Sequence, residues 1–394
     1  MRDVKVRDMM KNISLEYYWP NFKCVAYCLY NSEIVHLYNH PNYPSDTIFP
    51  WNDQFTADTL IVYEDYPTAI VNIERYKDSE TIYSLIIHEL FHGYQYLYSE
   101  SRFPNELLGV QYPLLLENIK LRNKERKLLY QAFNEQKKGV KLQLLNEFIF
   151  TREKRGELMG EYAQYEFHIE SVEGPAWYIE SKALQKASNL PFDEILKTYS
   201  STFLDEYRSN LQIRVSCYGS GMFLCLLLDQ LTDSWKEAFT RSKKTLYEIF
   251  KEHIDILPSH PIKISPDDEA MSIFNYVKGE KEKVFESFIN NKGFHLLIEG
   301  NMTVTSFDPM NIVSLNNHLL HQNFIKLIIS GKDYYFTQPV LARFTEKIQT
   351  INQLHLIFEK KPTIFSNHIE IDGIGKIEGI YDESNQVLKV PEKG

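Results

Sequence analysis

Between residues 79 and 98 the chain reads SETIYSLIIHELFHGYQYLY, with apolar residues at helical intervals and ionisable ones set among them. Ser79 or Asp78 supplies an N-cap, so the spacing predicts a helix that starts there. Two histidines and a glutamate amid Leu85, Ile86, Ile87, Leu90 and Phe91 are costly to bury without partners. Any fold of this chain must therefore supply groups that satisfy His88-Glu89-Leu90-Phe91-His92. Four helical residues turn about 400°, which puts both imidazoles on one face, one turn apart. That spacing lets them ligate a single zinc ion at about 2.0–2.1 Å. Glu89 lies about 100° away from His88, poorly placed to ligate but able to take a proton from a water on the metal. The alternative is a pair of surface or hydrogen-bonded histidines on an amphipathic helix.

A catalytic zinc site needs a third protein ligand and an open position. The segment GEYAQYEFHIESVEGPAWYIESKAL carries Glu166, Glu170 and Glu173 at i, i+4 and i+7, one face of a helix. Gly174-Pro175 is expected to loosen or restart that helix beside Glu173, and the glycine to admit a close backbone. Glu173 is the candidate ligand, with Glu170 and Glu180 as alternatives. Glu166 better fits a salt-bridged charged face, and His168 a surface histidine.

HELFHGYQ followed by Glu173-Gly174-Pro175-Ala176-Trp177-Tyr178-Ile179-Glu180 resembles the gluzincin zinc metallopeptidases of the thermolysin-like superfamily. The resemblance is strongest to uncharacterised bacterial HExxH peptidases with a helical insertion before the third ligand. It implies a zincin-like catalytic core, Zn2+ held by His88, His92 and Glu173, and Glu89 as general base. The separation of 173 − 92 = 81 residues is far longer than in the commonest members, and helices from about 110 to 155 fill the difference. Cys217 to Leu228, CYGSGMFLCLLL, resembles the YxxG-plus-apolar-helix stretch of zinc aminopeptidases. That likeness implies a Tyr218 hydroxyl that stabilises an oxyanion; a tyrosine packed at a helix start is the alternative. The aminopeptidases' GxMEN-like strand has no match ahead of His88. Thr68 to Tyr76 is expected to be an edge strand beside the cleft, which favours an endopeptidase that pairs with an extended peptide. These likenesses span about residues 60 to 240.

The rest of the chain reads as α+β. Residues 1–78 form a β-rich N-lobe (FKCVAYCLY, SEIVHLY, TLIVYED, TAIVNIERY), with HPNYPSDTIFPWND as a loop. Residues 79–255 form a helical lobe, and 256–292 a proline-rich linker (ILPSHPIKISP) with a short helix. Residues 293–394 form a small antiparallel β domain, with a hairpin turn at Ser330-Gly331-Lys332-Asp333. Lys120, Arg122, Lys124, Arg126 and Lys127 read as a solvated helix face.

A net charge of −10 gives no global attraction to nucleic acid or anionic lipid. The apolar run Met222–Leu228 is far short of a membrane span, and the N-terminus has no apolar signal core. Four cysteines without a CxxC pair read as free thiols. A cytoplasmic hydrolase of a peptide or small protein is the expectation, with oligomeric state open. Its rivals are a zinc hydrolase of a non-peptide amide and a degenerate metal-binding scaffold whose β domain binds a partner. Glu89 argues against the scaffold, which needs no general base.

Overall fold

The computed structural model describes residues 2–11, 13–258 and 267–391. The chain is mixed α+β, with an N-terminal sheet, a helical middle and a C-terminal antiparallel β domain. Helix α1 (Arg2–Lys11) precedes strands β1 (Ala26–Tyr30), β2 (Ile34–Tyr38), β3 (Thr47–Pro50), β4 (Thr59–Tyr63) and β5 (Tyr66–Asn72). Next come α2 (Ser79–Leu97), α3 (Glu106–Val110), α4 (Leu116–Asn134), α5 (Lys138–Met159) and α6 (Glu161–Ser188). Helices α7 (Phe192–Leu204), α8 (Glu206–Leu211), α9 (Ile213–Leu231), α10 (Trp235–Arg241), α11 (Leu246–Glu252) and α12 (Asp268–Ile289) follow.

Two compact units result: Met1–Pro104 with Leu115–Ala270, and Asn105–Leu114 with Met271–Gly394. Helix α3 thus groups with the C-terminal unit, although it falls within the helical stretch of the sequence. Of the proline-rich linker, residues 259–266 lie outside the described residues. No helix among the described residues is long and apolar enough to cross a membrane.

In the first unit the sheet order is β3-β2-β1-β5-β4. Strands β1 and β5 run parallel, and the other neighbours pair antiparallel. The expectation that Thr68–Tyr76 forms an edge is corrected: β5 lies between β1 and β4. Its run Pro67–Val71 is buried without alternation, the pattern of a strand covered on both faces. The edges are β4 and β3. The latter arises inside the stretch read as a loop, and Pro50 ends it, where a missing amide proton costs no ladder bond.

Helix α2 begins as expected: the Asp78 side chain caps it by accepting the Thr81 amide proton at 2.7 Å. It packs on β5 and β4. Helix α6 runs unbroken through Pro175, contrary to the loosening expected there. Residues on both sides of the proline are buried, and their packing outweighs one lost backbone hydrogen bond. The close approach expected at Gly174 is present. A Cβ there would stand 2.5 Å from the Gly221 Cα, so α6 and α9 cross at backbone contact.

The antiparallel pair α4–α5 corrects the reading of the basic run. Lys120, Lys124 and Lys127 reach outward to Asp267, Glu147 and Glu206, while Arg122 and Arg126 are buried. Arg122 points inward because α6 offers it a carboxylate, while Arg126 donates to the Ser216 hydroxyl on α9 and to the Arg122 carbonyl. Arg122 and Arg155 bind Glu166 at 3.0 and 2.6 Å, and Arg152 grips both oxygens of Glu170 at 2.7 and 2.8 Å. Glu125 joins the network by accepting from Arg152 and Arg155. Bidentate arginine–carboxylate geometry fixes orientation as well as distance.

In the second unit, β6 (Phe294–Phe307), β7 (Ile312–Leu315), β8 (His318–His321), β9 (Ile325–Ile329), β10 (Lys332–Phe336), β11 (Val340–Phe344) and β12 (Thr350–Phe358) form one sheet. Its order is β10-β9-β6-β12-β11-β8-β7. The turn expected at Ser330 is a two-residue hairpin, with Ser330 and Gly331 at φ of 48° and 84°. Strands β13 (Thr363–Ile364), β14 (His368–Ile371) and β15 (Gly375–Glu378) make a small second sheet, and β16 (Ile380–Asp382) and β17 (Val387–Lys389) extend the first along β6.

His321 in this unit is 1% exposed, lies edge-on to Phe307, and among the described residues has no hydrogen-bond partner for either ring nitrogen. Burial pushes its pKa down from 6.5 to about 4. The folded state holds the ring neutral, while the unfolded chain binds a proton below pH 6.5. Stability is therefore intact above that pH and falls as pH drops toward about 4, by about 3 kcal/mol in all. Denaturant unfolding of the C-terminal unit at pH 7 and pH 4 measures this loss. Burial lowers His355 in the same unit to about 4 as well, so His321→Leu is expected to remove only part of the loss; an equal loss in the variant assigns the acid sensitivity elsewhere.

Candidate metal centre

Three side chains from two helices converge. On α2, His88 and His92 turn their Nε2 atoms toward each other at 3.0 Å. On α6, Glu173 brings Oε2 to 3.6 Å from the His88 Nε2 and 3.3 Å from the His92 Nε2. Two imidazole nitrogens and a carboxylate oxygen form the set of three protein ligands used by catalytic zinc. Donors 2.0–2.1 Å from one ion at the tetrahedral angle stand about 3.3 Å apart, a spacing that the three distances bracket. The residues fit such an ion.

The outer nitrogens explain why the inner ones face each other. His88 Nδ1 donates to Glu180 Oε2 at 2.8 Å, and Glu180 Oε1 accepts from the Tyr199 hydroxyl at 2.7 Å. His92 Nδ1 donates to Gln95 Oε1 at 2.7 Å. Both acceptors lack a proton at the contacting atom, so each ring carries its hydrogen on Nδ1. A neutral ring then has a lone pair on Nε2, and two lone pairs at 3.0 Å repel unless a cation lies between them. Glu173 is held in turn by Arg214, whose Nη2 donates to Oε1 at 2.9 Å.

In the metal-free protein, protons can meet that demand. Burial disfavours the His88 imidazolium, but the carboxylates of Glu173 and Glu180 outweigh it and hold its pKa well above the ordinary value. His92 is raised for the same reason, with Glu173 as the main opponent of burial. Burial alone would raise Glu173; the two histidines reverse this and hold it well below the usual carboxylate range.

Glu89 is 8% exposed and accepts no hydrogen bond from any described residue. Burial raises its pKa against the pull of His88 and His92. Tyr218, in the second turn of α9, lies beside the Glu173 carboxylate. Burial and the neighbouring Glu173 push its hydroxyl well above the ordinary pKa, with Arg214 opposing. Its ring meets Trp177 edge-on at 5.3 Å.

His88, Glu89, His92, Glu173 and Tyr218 are thus gathered in one place. The alternatives to Glu173 have other work. Glu170 is bound by Arg152 and accepts from the Ser220 hydroxyl at 2.5 Å, while Glu180 backs His88 from behind. Glu166 is salt-bridged as expected, but buried rather than on a solvated face. His168 lies outside the group, near Arg102. Gln95, Arg214 and Tyr199 escaped the sequence reading. Gln95 was legible in principle, three residues beyond His92 on the same helical face; no spacing marks the other two. No protein-family model matches the chain, and neither does any curated protein or solved structure.

Glu170 and Glu173 are separable by experiment. Glu170→Ala leaves Arg152 buried without its bidentate partner, and a loss of about 3–5 kcal/mol in unfolding free energy is expected. Glu173→Ala is expected to weaken metal binding instead. Reversal of the two effects, read by denaturation and metal titration, reassigns the ligand.

Proposed function

We propose that this chain is a zinc metallopeptidase of gluzincin type. The observation that carries the reading is the pair of Nε2 atoms at 3.0 Å, both with their Nδ1 protons committed elsewhere. Zinc bound by His88, His92 and Glu173 would supply Lewis acidity toward water and a substrate carbonyl. The chain's own groups do the rest. Glu89 takes a proton from the water whose oxygen attacks the carbonyl carbon. The Tyr218 hydroxyl donates to the oxygen that gains charge as the tetrahedral centre forms. The proton on Glu89 then passes to the departing amine as the C–N bond breaks. Glu180 keeps the His88 imidazole in the tautomer that leaves Nε2 free, and Arg214 orients Glu173.

Glu89 weighs against a scaffold role. A largely buried carboxylate that burial raises in pKa, set beside His88 and His92, has a use as a base and none in a scaffold. The open edge of β4 offers an extended peptide a backbone to pair with, which supports an endopeptidase acting on a peptide or small protein. Four free cysteines suit a reducing compartment, and on that ground we assign the protein to the cytoplasm.

Purified protein is expected to hold one zinc per chain by elemental analysis, and the His88→Ala/His92→Ala double variant none. Full zinc retention by the double variant rejects the site. Glu89→Gln is expected to keep the metal while hydrolysis of a peptide selected from a cleavage library falls by roughly 10²–10⁴-fold. Equal turnover by variant and wild type rules out Glu89 as the base.

Tyr218→Phe keeps the ring and removes one donor. A fall in kcat of about 10²–10³-fold with KM nearly unchanged is expected from steady-state kinetics. An unaltered kcat leaves Tyr218 as a packing residue.

A further inference from the structure

We infer that Gln95 is a positioning residue for the zinc ligands, setting His92 and tying its helix to the one that carries Glu173. The inference rests on the metal centre proposed above and assigns a duty to a residue outside the ligand set. Gln95 is 4% exposed, and both ends of its amide are used. Its Nε2 donates to the Val172 carbonyl at 2.8 Å, and its Oε1 accepts from His92 Nδ1 at 2.7 Å. The two bonds fix each other. A flipped amide would set Oε1 against the Val172 carbonyl, acceptor against acceptor, and its NH2 against the proton on His92. The Val172 carbonyl cannot donate, so the amide has one orientation and the His92 ring one tautomer. That tautomer leaves Nε2 free to face Glu173.

Val172 immediately precedes Glu173. The same side chain that orients His92 on α2 therefore grips the backbone of α6 beside the third ligand. The two histidines are backed unequally: a carboxylate holds His88, and a neutral amide holds His92. With Glu89, Glu173 and Glu180 already buried, a fourth carboxylate would add like charge, and the amide avoids it.

A role confined to packing makes a different forecast from an orienting role, because two substitutions divide the functions. Gln95→Met fills the space without a hydrogen bond to either partner. Gln95→Glu keeps an acceptor for His92 but loses the donor to Val172. Zinc affinity, measured on the full chain by competition with a chromophoric chelator, is expected to fall by roughly 10–100-fold in Q95M. In Q95E it is expected to stay within a few-fold of wild type. The visible spectrum of the Co2+-loaded protein is expected to shift in Q95M and be restored in Q95E. Should Q95M not fold, Q95N draws the amide one methylene back from His92 and is expected to show the same loss. Wild-type affinity in Q95M, or in Q95N where it stands in, overturns the inference, as does equal weakening in Q95M and Q95E, which reduces Gln95 to a staple between helices. Wild-type protein that binds no zinc at all overturns the metal centre itself, and the inference with it.

Discussion

Helix α6 carries four buried carboxylates, Glu166, Glu170, Glu173 and Glu180, and each must find a partner away from water. An uncompensated buried charge costs several kcal/mol, comparable to the whole stability of a domain. Much of the first unit can be understood as the answer to that demand. The α4–α5 pair delivers Arg122, Arg152 and Arg155 to the first two carboxylates. Helix α2 delivers His88 and His92 to the last two, and α9 adds Arg214 and Ser220. The candidate metal centre is the stretch of this helix where histidines stand in for arginines. The substitution matters chemically, because a neutral imidazole can offer a lone pair and a guanidinium cannot.

The long interval between the two motifs gains a physical meaning from this. The α4–α5 pair separates His92 from Glu173 in sequence, yet its arginines fasten α6 one and two turns ahead of Glu173. Bidentate contact at Glu170 leaves α6 little freedom to slide or rotate about its axis.

Local features were legible in the sequence, and non-local ones were not. The Asp78 cap, the helical face of His88 and His92, the acidic ladder and the Ser330 hairpin all depend on neighbours within a few residues. The inward turn of Arg122 depends on Glu166, 44 residues away, so the basic run read as a solvated face. Whether β5 is central or an edge is decided by pairing with β1 and β4, which a single strand's composition does not encode. Continuity through Pro175 is likewise tertiary: the proline signal is local, and the packing that overrides it comes from other helices. Gly174-Pro175 singled out Glu173 in the sequence, but the work of its rivals needed three dimensions, since Arg152 beside Glu170 and His88 beside Glu180 come from other helices.

The glycine crossing of α6 and α9 has a mechanical consequence. When two packed rods change their angle, the points next to their closest approach move least. Glu173 adjoins Gly174, and Tyr218 lies three residues before Gly221, so both groups sit close to that approach. Bonds on both sides of the crossing, Ser220 to Glu170 and Tyr178 to Asp229, resist rocking of the long helices, so the separation between carboxylate and phenol stays nearly constant. A side chain at the crossing would lengthen the lever arm and turn the same rocking into displacement at the site.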